Sequence, residues 1–293
     1  MKKNKLLIIL LCIITLLPGC SLTKDSMEDI TIYTTIYPVK YLVDSLYGEY
    51  STIYSVYPSG INPNEYELSE KKMKEYANTD LFIFNSLDRD RDFAVDMINE
   101  NKDLKIIDVS MGMTYENNIT ELWLNPYNYL MMAQNTKNGL LEYIDNPYLI
   151  SNKDKTGIED KYDELKYDLS RLDADMKEDI SLATYKTIVV DNDMFKFLEK
   201  YNLKVISLEE NDNLNDNIIN EVKKLINNKE IKYIYSSKSE TNNTCQSLIE
   251  SYNLELITLN TMETIDGGIT NSNESYITVM NNNIDLLNKE LYK

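Results

Sequence analysis

The sequence predicts an α/β protein: two lobes of βα type joined by one long helix. Three observations predict it. Short apolar runs alternate with amphipathic stretches from residue 29 onward, which is the signature of βα units. An uninterrupted amphipathic stretch follows, in which Tyr162, Leu165, Leu169, Leu172, Met176 and Ile180 recur at three- and four-residue steps. The alternation then starts again and runs to the C-terminus. The division this predicts is an N-terminal lobe over 29–150, a linking helix within 151–184 and a C-terminal lobe over 185–293.

Taken in order, "DITIYTTIYP" (29–38) is β-branched and aromatic and reads as a strand. "VKYLVDSLYG" has apolar residues at helical spacing, with Gly48 where a C-cap would sit. "STIYSVYP" is the second strand. "SEKKMKEYANT" is a short helix capped by Ser69. "DLFIFN" (80–85) has the continuous apolar run of a buried parallel strand. A helix near 92–101 and the strand "LKIIDVS" complete the first lobe's alternation. Pro126 suits the first position of the next helix, behind Asn125 as N-cap. Beyond the long helix come the strands "KTIVVD", "LKVISLE", "IKYIYSS" and "LELITLN". Helices over "DMFKFLEKYN", "LNDNIINEVKKLINN" and "ETNNTCQSLIESYN" separate them, and a final helix spans 273–291. Asp88–Asp92, "DRDRD", alternates in charge and reads as a solvated loop; the glycines of "IDGGIT" (265–270) read as a flexible one.

Composition narrows the function. The chain of 293 residues has 48 acidic and 30 basic side chains, a formal net charge of −18. Nucleic acid is not an expected partner, since phosphate binding needs clustered Lys and Arg. Histidine is absent: the count is 0. That removes Ser-His and Cys-His pairs, the HExxH motif and every imidazole metal ligand. Carboxylates are plentiful, but no spacing marks a general acid and base. A cleft enzyme using Glu121 and Asp191 is therefore the weakest reading, and no catalytic activity is expected. After removal of the leader, Cys245 stands alone, so no disulfide is expected, and its simplest role is that of a small buried side chain.

The first 19 residues carry Lys2, Lys3 and Lys5 ahead of an apolar run over 6–17. This is the layout of an export signal, too short for a membrane span. "LPGC" resembles a bacterial lipobox, with Cys20 as the lipid attachment point and 20–28 as a tether to the membrane surface.

The order of these elements behind a lipobox resembles the metal-capturing lipoproteins of bacterial zinc and manganese ABC importers. "TTIYPVKYLVDSLYG", "YPSGINPNEYELS", "TDLFIFNS", "ELWLNP" and "IVVDNDMFKFLEKYNL" each match a segment of that family, in order and across nearly the whole chain after the leader. The resemblance implies an extracytoplasmic, lipid-anchored substrate-binding protein, a monomer that docks on a membrane permease and carries a divalent metal ion in its cleft. In the family three histidines and one carboxylate hold the metal. Here those positions fall on Asn64, Glu121 and Asn192, and the fourth near Asn260, with Ser237 or Glu263 as substitutes. Asp191, Asp193 and Glu65 are adjacent in sequence. Two readings of these positions stay open. Carboxamide and carboxylate oxygens suit a hard cation such as calcium, magnesium or manganese, while tight zinc binding is not expected. Alternatively the same residues are polar cleft groups paired with one another, and the chain is a surface interaction or adhesion lipoprotein that keeps the fold without the metal.

Overall fold

The structure, a computed structural model, describes residues 29–144, 152–263 and 275–293. The leader, Cys20, the tether and the segment "IDGGIT" (265–270) lie outside the described residues. Among the described residues no helix is long and apolar enough to cross a membrane.

Two four-stranded parallel sheets form, one on each side of the long helix. The first contains β1 (Ile30–Thr34), β2 (Ser51–Ser55), β3 (Leu81–Phe84) and β4 (Lys105–Asp108). The second contains β5 (Thr187–Val190), β6 (Lys204–Ser207), β7 (Tyr233–Ser236) and β8 (Glu255–Thr258). Their orders are β2-β1-β3-β4 and β6-β5-β7-β8, so both sheets have the same winding. The chain reverses its direction of travel between β1 and β3 and again between β5 and β7. Such a reversal leaves a crevice beyond the carboxyl ends of the strands, the usual ligand site of open α/β sheets. The central strands β3 and β7 are buried at every residue, because helices cover both faces of each sheet. The edge strand β2 alternates between half-buried and exposed.

The helices are α1 (Tyr37–Tyr47), α2 (Glu70–Ala77), α3 (Asp90–Glu100), α4 (Glu121–Leu124), α5 (Pro126–Ile144), α6 (Asn152–Leu182), α7 (Asp216–Asn227), α8 (Asn243–Tyr252) and α9 (Tyr276–Leu291). Helix α6 has 31 residues, about 46 Å at the standard rise. Its apolar stripe is the one the spacing predicts: Tyr162, Leu165, Leu169, Leu172, Met176 and Ile180 are all buried. Each such aliphatic side chain contributes about 1.5–3 kcal/mol by leaving water. Helix α6 packs against α1 and α5 on one side and against α9 on the other, so it belongs to both cores. One continuous apolar cluster runs from Ile32 and Leu42 through Leu169 to Tyr235 and Leu287. A second cluster, around Val189, Val222 and Cys245, fills the far side of the second sheet.

Three local readings need correction. Gly48 does end α1, but with φ −59 it stays right-handed and enters a short 3-10 turn, so no left-handed cap forms. Residues Asp193–Tyr201 form a 3-10 helix rather than an α-helix. The buried positions explain it: Phe195, Leu198 and Tyr201 are three apart, and three residues per turn put them in one row. "DRDRD" is not a solvated loop. Its second half is the first turn of α3, and Asp90 is only 2% exposed.

Candidate functional site

The carboxyl ends of the strands carry the polar residues of the cleft. Strand β5 runs into Asp191 and Asn192, β7 into Ser236 and Ser237, and β8 through Leu259 to Thr261 and Glu263. From the first lobe, the loop after β2 forms a 3-10 turn over Pro63–Glu65. Asn62 builds that turn: its Oδ1 accepts from the Asn64 N–H at 3.0 Å, and its Nδ2 donates to Glu65 Oε1 at 2.8 Å. The Arg89 guanidinium donates to the Pro63 carbonyl at 2.9 Å and ties the turn to the start of α3. Asn64 is thereby held at the cleft with its side chain exposed.

A cavity of about 500 Å³ lies here. Asn62, Asn64 and Asn118 line it from the first lobe; Asp191, Asn192, Met194, Glu209, Ser237, Lys238, Thr261 and Glu263 line it from the second. Two of the four expected positions, Asn64 and Asn192, thus face one space. Asn192 is partly committed: its Nδ2 donates to Asp191 Oδ1 at 2.6 Å and its Oδ1 accepts from the Met194 N–H at 3.0 Å. Asp191 also accepts from the Ser236 hydroxyl at 2.5 Å and the Thr241 hydroxyl at 3.2 Å. Burial pushes its carboxyl up from the ordinary value, against the pull of those two hydroxyls, and Glu209 adds to the rise. Glu209 itself accepts from the Asp193 N–H at 2.8 Å.

The other two expected positions do not line this cavity. Asn260 turns its Oδ1 back to the Met262 N–H at 2.9 Å, and its backbone pairs both ways with the Asn283 side chain. It shapes the turn in which Met262 adopts a positive φ of 59. Glu263, the substitute named for that position, does line the cavity. Its carboxyl is pushed up by burial; the Thr261 hydroxyl, donating at 3.1 Å, and Lys238 pull it down, and Asp88 pushes it up. Ser237, the other substitute, also lines it. Glu121 is buried, and its carboxylate is spent on its own loop. It accepts from the backbone N–H groups of Glu116, Asn117 and Asn118 at 3.1, 3.0 and 3.3 Å, and from Asn117 Nδ2 at 2.9 Å. Of the neighbours noted in sequence, Glu65 binds Asn62 and Asp193 pairs with Lys196.

This arrangement makes Glu121 a loop clasp. Glu121→Gln would set an amide NH₂ among four donors. It is expected to lower stability by about 1–3 kcal/mol, the usual cost of leaving buried donors unpaired. An unchanged melting temperature would show that the carboxylate is not needed by the loop.

Sequence reasoning missed Asn62, Asn118, Met194, Glu209, Lys238 and Thr261. Lys238 was within reach, since it stands just past the carboxyl end of a strand beside a winding reversal. Asn118 comes from a loop with no periodic signal. Among the described residues no three His, Cys, Asp or Glu side chains are grouped so as to hold a metal ion. The donor set does not fit zinc: it offers amides, separately engaged carboxylates and no imidazole.

Two parallel-sheet lobes around a single backbone helix, with a polar cavity at their facing strand ends, are the architecture of the substrate-binding-protein fold. The chain belongs to the family of the periplasmic zinc-uptake complex component A, ZnuA, which matches it over residues 32–290. It is 23% identical to the zinc-binding lipoprotein AdcA of Streptococcus pneumoniae over 312 residues, covering 98% of this chain and 60% of that protein. It thus spans about 60% of that relative's length. The metal ABC transporter substrate-binding lipoprotein ScbA of Streptococcus cristatus is 27% identical over 228 residues, covering 69% of this chain and 70% of ScbA. The crystal structure of the metal-dependent lipoprotein YcdH from Bacillus subtilis shares the fold with a TM-score of 0.74 at 18% identity, covering 90% of this chain and 100% of YcdH.

Proposed function

We propose that this chain is the extracytoplasmic substrate-binding lipoprotein of an ABC importer of the zinc and manganese type, with a cleft whose histidine-based metal site has been rebuilt. The observation that carries this reading is the placement of Asn64 and Asn192. They occupy positions that the family resemblance assigns to metal-binding histidines, and they face one cavity between the lobes. Anchoring through Cys20 and docking on a membrane permease follow from the same reading, supported by the "LPGC" leader and by relatives described as lipoproteins and as metal transporter components.

Zinc calorimetry on tag-free protein, run beside AdcA, tests it. Loss of one partner behind a metal ligand typically weakens binding by about 10–100-fold. Loss of every imidazole is expected to weaken zinc binding by more than about 100-fold relative to AdcA. Stoichiometric binding as tight as that of AdcA would show that other side chains form an intact metal site.

A further inference from the structure

The cavity is acidic, yet it holds a lysine. Asp191, Glu209 and Glu263 line it, and Lys238 is the one basic residue beside them. Such a wall attracts a cation, and the ammonium opposes it. Glu209 and Glu263 each accept through one carboxylate oxygen, from the Asp193 N–H and the Thr261 hydroxyl. Among the described residues their other oxygens accept no hydrogen bond. Lys238 is placed at this wall by its backbone. It follows β7; its N–H donates to the Ser236 hydroxyl oxygen at 3.0 Å, and its carbonyl accepts from the Thr258 hydroxyl at 3.3 Å. The same Ser236 hydroxyl donates to Asp191 at 2.5 Å. One buried serine thus fixes both a cleft carboxylate and the backbone that carries the lysine. The side chain is exposed, and among the described residues its ammonium makes no hydrogen bond or ion pair.

We propose that Lys238 is a tethered cation that competes with an incoming divalent metal ion for the carboxylates of Asp191, Glu209 and Glu263, and so holds the metal affinity of the cleft low. The inference rests on the cleft being the capture site of the proposed importer component, and the experiment separates the two claims. Among the described residues no three acidic side chains are grouped into a closed ligand set. A divalent ion in this space therefore keeps much of its water and is held by the summed charge of the walls. Under that condition a single ammonium counts most. Across about 5–10 Å of wet cleft, one unit charge changes the affinity of a divalent ion by about tenfold. The four-carbon stem of lysine lets the ammonium swing out to solvent as the ion enters. A carboxamide in its place leaves the carboxylates unopposed.

Manganese calorimetry at low salt tests it on the full chain, purified in detergent without an affinity tag, stripped with EDTA and then freed of chelator. Lys238→Gln is expected to bind manganese about tenfold more tightly than the parent. Lys238→Arg keeps the charge and is expected to bind like the parent. Lys102→Gln removes the same charge just ahead of β4, at the amino ends of the first sheet, and is also expected to bind like the parent. Adding Glu263→Gln to Lys238→Gln is expected to cancel most of the gain. Raised salt is expected to shrink it, since exposed charges are screened. The Lys238 variants change an exposed side chain, so they decide the question even if Glu263→Gln unfolds its turn. Binding by Lys238→Gln equal to or weaker than the parent's would overturn the role of Lys238 and leave the cleft as the capture site. A gain shared by Lys238→Arg or Lys102→Gln would do the same. A gain that Glu263→Gln leaves untouched would place the ion outside the cleft and overturn both claims, as would no heat from any of these proteins.

Discussion

Trp123→Ala is expected to destabilise the protein by about 3–5 kcal/mol, the cost of emptying a buried aromatic site. Trp123 is 1% exposed and stands where the lobes meet. Its indole N–H donates to the Thr261 carbonyl of the second lobe at 2.7 Å. Its own carbonyl accepts from the Tyr276 hydroxyl at 2.6 Å, and the Tyr276 ring stacks on Tyr129 at 4.1 Å. The substitution therefore opens a cavity and also strands a buried carbonyl, so the cost belongs at the upper end of the range. At about 2–4 °C per kcal/mol for a chain near this size, thermal melting should fall by roughly 6–20 °C. Trp123→Phe keeps most of the volume and loses only the indole N–H; about 1–3 kcal/mol is expected there. A shift of a degree or less for Trp123→Ala would mean that the two lobes do not depend on this joint.

The same contact reaches the site. The Thr261 carbonyl is fixed by Trp123, and the Thr261 hydroxyl donates to Glu263 at 3.1 Å. Trp123→Phe should therefore weaken ligand binding without touching a cavity-lining residue. The latch formed by Lys200, whose ammonium meets Asn125 of the first lobe and Asp173 of α6, holds the opposite side of the joint. The Tyr201 hydroxyl donates to the same carboxylate at 2.6 Å. A rigid joint of this kind favours a cleft that is largely preformed.

The fold was largely legible in the sequence because burial writes a period into it. "DLFIFN" and "IKYIYSS" are apolar throughout because both faces of their strands are covered, and the three- and four-residue steps of α6 trace a stripe shared by two cores. The 3-10 helix was misassigned because three-residue spacing also fits an α-helical face over so short a run. The site was less legible. The resemblance pointed to Asn64 and Asn192, whose positions are set by the strand ends and by a local Asx turn. It could not show which way Glu121 and Asn260 turn. A carboxylate one turn from its own loop's N–H groups closes on that loop, and an Asn at a strand end makes the local bond to the residue two beyond. Both choices depend on loop geometry that leaves no periodic trace. The charge alternation of "DRDRD" misled for a related reason: the sequence does not show that a tyrosine hydroxyl waits above Asp90.

That buried acid gives the second large effect. The Asp90 carboxyl accepts from the Tyr57 hydroxyl at 2.5 Å, within a site closed by Phe93 and bordered by Asp88 and Arg89. Burial pushes it up from 3.8 to about 6, although the Tyr57 hydroxyl pulls the other way. A folded-state value above the unfolded one means that the folded protein holds this proton more tightly. Stability from this group is then fully present below about pH 3.8, falls as pH rises through the window to about 6, and stays low above it. A rise from 3.8 to about 6 corresponds to about 3 kcal/mol at neutral pH. Asp90→Asn keeps an acceptor for Tyr57 and removes the charge. It is expected to raise stability near neutral pH by up to about 3 kcal/mol and to change it little near pH 4, where both side chains are uncharged. Urea unfolding of the two proteins at both pH values measures the difference, and the comparison cancels the titration of Asp191 and Glu263. Arg89 joins this region to the turn that carries Asn64, so the variant also reports whether the buried charge sets the position of that turn. A variant less stable than the parent near neutral pH would mean that Tyr57 and the Asn85 backbone together hold the ionised form, and that Asp90 anchors the turn as a carboxylate.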